Sequence, residues 1–145
     1  MISYQHTQRS KILMYIIIFV LLFMLFLMYM YGFNWIGAMV MVLMICALYL
    51  FNSLTVSIDQ EKIKVAFGYG LIRKIIYLRM IQSAEKVRNK WFYGFGIRLI
   101  PGGQMWNVAG FDAIELKLNN GRVFRIGTDE PDRLLEAIRS QIGVS

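Results

Sequence analysis

From Ile12 to Ile58 the chain carries no Asp, Glu, Lys, Arg or His, and every charged residue falls outside that block. Two apolar runs fill most of it. The first, Ile12 to Tyr31, reads ILMYIIIFVLLFMLFLMYMY, 20 residues without Pro or Gly. A bilayer core is about 30 Å thick and a helix rises about 1.5 Å per residue, so about 20 apolar residues cross it. Gly32-Phe33-Asn34 interrupts with turn-forming residues. Trp35 to Phe51, WIGAMVMVLMICALYLF, is the second run. The pattern predicts a transmembrane helical hairpin over residues 12–52, with Tyr29, Tyr31, Trp35 and Tyr49 near the interfaces, where amphipathic rings concentrate. The first run is too long for a signal peptide and no small-residue cleavage site follows it, so a retained helix is expected.

Beyond Phe51 the period shortens from helical to alternating. Leu54, Val56 and Ile58 share one face, and Thr55 and Ser57 the other. After a polar turn at Asp59-Gln60-Glu61, Ile63, Val65 and Phe67 alternate with Lys62, Lys64 and Ala66. Gly68-Tyr69-Gly70 turns again, and Leu71 to Leu78, Ile81 to Val87 and Ile97 to Ile100 follow as strand candidates. Pro101-Gly102-Gly103 is a further turn. Ile114, Leu116 and Leu118 alternate with Glu115 and Lys117, then Asn120-Gly121 gives a two-residue hairpin signal before Val123 to Ile126. About seven antiparallel strands punctuated by Gly predict a sandwich or barrel. Pro131 fits the first position of a terminal helix capped by Asp129 or Glu130. Its stripe of Leu134, Leu135, Ile138 and Ile142 is suited to covering the sheets. The expected organisation is a cytosolic tail over residues 1–11, the transmembrane hairpin over 12–52, and an α+β, mainly β domain over 53–145.

Charge sets the orientation. Arg9, Lys11, Lys62 and Lys64 flank the helical pair, whereas its connection has no Lys or Arg. Basic residues near membrane ends stay cytoplasmic, so both termini are expected in the cytoplasm. The net charge is +7, and beyond Ile58 there are 14 basic and 9 acidic residues, a balance suited to an anionic leaflet. No basic stripe with interleaved aromatics points to nucleic acid. Cys46 is the sole cysteine, which excludes a disulfide framework or thiolate metal site within one chain.

Candidate chemistry is sparse. Gly94-Phe95-Gly96 lacks the third Gly and following helix of a dinucleotide loop, Leu99 standing in the third position, and reads as a bend between strands. Asp129, Glu130 and Asp132 suit the positive end of a helix dipole better than a calcium loop. His6 is the only histidine and reads as a solvated tail residue. No catalytic site, cofactor or metal is expected. Arg73, Lys74, Arg79 and the segment Lys86-Val87-Arg88-Asn89-Lys90 concentrate positive charge, and Lys86, Arg88 and Lys90 are the candidates to face lipid. Trp91 and Trp106 flank the most Gly-rich part and are expected in the core. Gly37, Ala38, Cys46 and Ala47 are the small residues of the second run and the candidates for close helix–helix approach.

Seven strands and one capping helix is the order of the pleckstrin-homology (PH) fold. The segments Trp91 to Arg98, WFYGFGIR, Asn107 to Leu116, NVAGFDAIEL, and Phe124 to Pro131, FRIGTDEP, resemble bacterial PH-like membrane proteins. The resemblance extends over Leu54 to Ile142 and includes the preceding helices. It implies a PH-like fold in a bacterial inner membrane. Because some soluble PH-like domains of bacteria form rings, it also implies a capacity for self-association. Phosphoinositide binding is not implied, since the first strand-connecting loop, Asp59-Gln60-Glu61, is acidic. Only Asn52 and Ser53 separate the second apolar run from the first strand, so the domain has no flexible tether and needs no lipid to recruit it. The function expected is a non-enzymatic, membrane-anchored interaction module that assembles as a homo-oligomer or with another membrane protein. The alternative is an anionic lipid-headgroup binding module.

Overall fold

A computed structural model describes residues 2–143. Strand β1 (Ile2–Arg9) precedes helices α1 (Lys11–Tyr31) and α2 (Trp35–Phe51). Strands β2 (Ser53–Asp59), β3 (Lys62–Phe67), β4 (Ile72–Tyr77), β5 (Ile81–Arg88), β6 (Gly96–Ile100), β7 (Gly103–Asn107), β8 (Asp112–Leu118) and β9 (Val123–Gly127) follow, and helix α3 (Pro131–Ile142) comes last. One sheet has the order β1-β2-β3-β4 and the other β5-β8-β9-β7-β6. Every neighbouring pair is antiparallel except β7 and β9. The architecture is α+β.

Two strands depart from the expected set. Residues 2–9, expected within a tail, pair with β2 from Arg9↔Ser53 through His6↔Val56 to Ile2↔Asp59. The helices are therefore an insertion between two adjacent strands. The Ser10 amide closes the seam by donating to the Asn52 carbonyl at 3.0 Å, while the Ser10 hydroxyl caps α1 by accepting from the Leu13 amide. Strand β7 also lacks a sequence signal. It runs parallel to β9 so closely that a Cβ on Gly103 would collide with the Val123 backbone carbonyl. Glycine stands there for space.

Helix α1 has 21 residues, about 31 Å at 1.5 Å per residue. It is the one described helix both long and apolar enough to cross a membrane, α2 being shorter at 17 residues. Side chains on both helices point outward almost throughout, and Ile17 alone is buried. The two sheets enclose the core. Leu54, Val56 and Ile58 of β2 and Ile63, Val65 and Phe67 of β3 face Ile114, Leu116, Phe124 and Ile126 across the sandwich. Trp106 lies between Phe67 and Phe124, at ring distances of 5.2 and 5.9 Å. Leu134 and Ile138 of α3 are fully buried over the sheets, whereas Leu135 and Ile142 are half-buried beside them. Trp91 departs from the expected core position. It stands 80% exposed on a short 3-10 turn after β5.

Candidate functional site

The strands run lengthwise between two ends of the sandwich. The helix-proximal end gathers the Ser10–Asn52 seam, the β3–β4 turn, the β5–β6 connection and the β7–β8 loop. The β3–β4 turn packs on the last turn of α2. Gly68 adopts φ +52°, and a Cβ there would come within 2.7 Å of the Leu50 carbonyl. Tyr69 stacks on Tyr49 at 4.7 Å, and Phe51 meets Phe67 edge-on at 5.2 Å. These contacts use side chains from the apolar helix and from the sheet alike, so the helices and the sandwich form one packed joint.

On another side of the joint lies a groove of about 340 Å³. Leu13 and Ile17 of α1 and Ala47 and Phe51 of α2 form one wall, and Phe95, Ile97 and Arg98 at the start of β6 form the other. Arg98 is its single charged group. Its Nε donates to the Phe95 carbonyl at 3.0 Å, and its guanidinium lies against Gly94. Among the described residues Arg98 has no ion-pair partner. A few residues before Phe95 in the chain, Trp91 and Phe92 are exposed, and Lys90 holds its Nζ 5.6 Å from the Phe92 ring centre.

The three candidate lipid-facing cations divide. Lys86 places Nζ 3.0 Å from Asp132 in the first turn of α3, so its charge is matched within the fold. Arg88 ends β5 at the helix-proximal end and Lys90 follows it, both exposed and, among the described residues, without ion pairs. The small residues of α2 divide as well. A Cβ on Gly37 would face Met24 and Met28 of α1 at 3.9–4.0 Å, so Gly37 serves packing within the helical pair. Ala47 lines the groove, Ala38 is half-buried, and Cys46 is exposed.

His6 is not a solvated tail residue. It lies on the same face of β1 as Tyr4 and Gln8, and its Nε2 sits 2.7 Å from Asp129 Oδ1 while Nδ1 is 3.6 Å from Glu130 Oε2. Gln8 Nε2 donates to the Gly127 carbonyl beside it. The acidic residues ahead of α3 therefore turn toward β1, and neither Asp129 nor Glu130 makes the expected side-chain cap on α3. Alternation turns Thr7 to the opposite face from His6, where its hydroxyl meets that of Thr55 at 2.8 Å.

Tyr4 completes this face. Its hydroxyl is buried and, among the described residues, has no hydrogen-bond partner. Burial, reinforced by the Glu130 carboxylate, pushes its pKa up from the ordinary 10.0 to about 12, against the opposing pull of Arg133. The folded state thus holds the phenol proton more tightly than the unfolded chain, a contribution present below pH 10 and lost as pH rises toward 12. Replacing Tyr4 by Phe removes an unpaired polar atom, which costs about 1–3 kcal/mol when buried. Tyr4→Phe is expected to raise the melting temperature at pH 8, and its advantage over the parent should widen between pH 10 and 12. Thermal melts at both pH values check this; a lower melting temperature would mean that the hydroxyl has a partner.

Elsewhere, Lys74 reaches Gln104 Oε1 at 2.9 Å from the far side of the sandwich, its pKa lowered by burial and then by Arg122. Among the described residues no group of three His, Cys, Asp or Glu side chains is arranged to hold a metal ion. No family model matches the chain, and no curated protein or solved structure matches it.

Proposed function

We propose that the protein is a non-enzymatic, membrane-anchored PH-like module of a bacterial inner membrane that mediates assembly, with itself or with another membrane protein. In this reading α1 and α2 form a two-crossing hairpin, both termini are cytoplasmic, and the sandwich stands on the cytosolic leaflet. The observation that carries it is the seam at Ser10 and Asn52, where both ends of the helical pair continue without a linker into neighbouring strands. A domain held this way is already localised, so its surfaces are free to recognise partners in the same plane, where confinement raises effective concentration. Support for assembly comes from strands β4 and β6, which end their sheets and expose Ile75 and Leu99. Exposed edges with apolar side chains invite strand pairing between chains.

Two measurements test the proposal. Reporters fused at either terminus should both read cytoplasmic; opposite sides would overturn the hairpin. Mass measurement of the full chain in mild detergent should give a homo-oligomer, and Cys46, exposed on α2, should crosslink between copies when they face each other. A strict monomer across the micromolar range, uncrosslinked in native membranes, would leave only another membrane protein as partner. The lipid-headgroup reading is favoured by one observation, the exposed Arg88 and Lys90 at the helix-proximal end. Each cation near an anionic surface adds about 1 kcal/mol. Salt-sensitive loss of vesicle binding in an Arg88→Ser, Lys90→Ser variant would support it.

A further inference from the structure

We infer that the groove between α1, α2 and β6 is a binding site for one phospholipid, with an acyl chain among Ile17, Ala47, Phe51, Phe95 and Ile97 and the phosphate on Arg98. The inference rests on the reading that α1 crosses the bilayer, and it identifies what the helix-proximal end meets there.

Depth is the first argument. Leu13 and Ile17 stand two and six residues into α1, about 3–9 Å along its axis. A groove walled by them opens at the boundary between headgroups and acyl chains. Size and chemistry agree. At about 340 Å³ the groove lies near the lower limit of the roughly 300–1,000 Å³ of small-ligand sites, room for a length of chain rather than a whole headgroup. Its walls are apolar except at one end.

That end is the second argument. The Phe95 carbonyl fixes Arg98 through Nε, which leaves the terminal N–H groups of the guanidinium without partners among the described residues. A planar fork held from behind suits two-point contact with a phosphate better than a lysine would. Among the described residues no carboxylate pairs with it. The rim agrees with the same depth: Trp91, Phe92 and Tyr69 are exposed aromatics next to the joint, the residue types that favour the interface, and Arg88 and Lys90 add positive potential for an anionic lipid.

The test uses the full chain extracted in mild detergent, with phosphatidylglycerol as the probe and native mass spectrometry as the readout. One lipid per protomer should be retained. Arg98→Gln, which changes an exposed side chain, should weaken retention about tenfold, the scale of one lost charge-assisted contact. Ala47→Phe should abolish retention by filling the groove while keeping every charge. Lys90→Ser should change it less than either. Retention equal to the parent's in both Arg98→Gln and Ala47→Phe overturns the site. So does a dimer that Ala47→Phe dissolves while lipid retention persists, because the groove would then hold a second copy. If Ala47→Phe loses its circular dichroism signature, Arg98→Gln alone decides. Resistance of the parent chain to alkaline extraction separates the two levels. A chain washed off membranes refutes the crossing by α1, whereas one that stays but retains no lipid refutes only the groove.

Discussion

Replacing residues 10–52 by Asn-Gly, so that Arg9 is joined to Ser53 through a two-residue turn, is expected to yield a soluble folded domain. A chain beginning at Ser53 is expected to be strongly destabilised. Arg9 and Ser53 are already cross-strand partners, and Asn-Gly is the turn that such a junction favours. Beginning at Ser53 removes β1 entirely. It opens the hydrogen-bonded ladder along β2, uncovers the core beneath Tyr4, and strips Gly127 and Asp129 of their contacts with Gln8 and His6. Each lost intramolecular hydrogen bond contributes about 0.5–1.5 kcal/mol, so losing several approaches the roughly 5–15 kcal/mol that a domain has in total. Urea unfolding followed by circular dichroism compares the two chains. Similar midpoints would show that β1 is an ornament on a domain complete without it.

Ile138→Asp should unfold the domain or cost about 4 kcal/mol or more, because it places a carboxylate on a fully buried position within an apolar cluster. Leu135→Asp, three positions earlier on the half-buried margin of the same helix, should cost about 1–2 kcal/mol. The contrast is the useful result. A stripe read from sequence gives the two leucines and two isoleucines equal weight, whereas the packing sets Leu134 and Ile138 at its centre. Thermal melts of both variants in the full chain measure it, and equal losses would mean that α3 is rotated from the described face.

What the sequence reveals here follows the physics of each strand. β2, β3, β8 and β9 have one largely polar and one apolar face, so alternation exposes them directly. β1 does not, because its inward positions are Tyr4, His6 and Gln8. Polar side chains are tolerated there by partners supplied from afar, Gly127 lying 119 residues from Gln8 and Asp129 lying 123 from His6. Nothing within eight residues announces that. β7 hides for another reason. Met105, Trp106 and Asn107 are buried in succession, so no period of two survives. The same limit applies to sites. Lys86 reads as one member of a basic run until Asp132, 46 residues on, is seen to hold it. Trp91 and Trp106 are alike as letters, and only the core distinguishes them. Nothing local in the sequence ties Ala47, Ile97 and Arg98 to one site; the groove exists because three separate elements converge on one joint.

The insertion of the helical pair between β1 and β2 also orders events during synthesis. β1 is made before the helices and waits, without its β2 partner, until α1 and α2 have both been laid down and β2 follows them. The two strands meet only if the chain returns to the side from which it left. If the helices cross a bilayer as proposed and α2 fails to bring the chain back, β1 and β2 would be stranded on opposite faces, the sheet would lack its first pairing, and Leu54, Val56 and Ile58 would stay uncovered. A misinserted copy would thereby be marked as unfolded and left open to proteases. Under the proposed topology, completion of the sandwich would proofread the insertion of the helical pair.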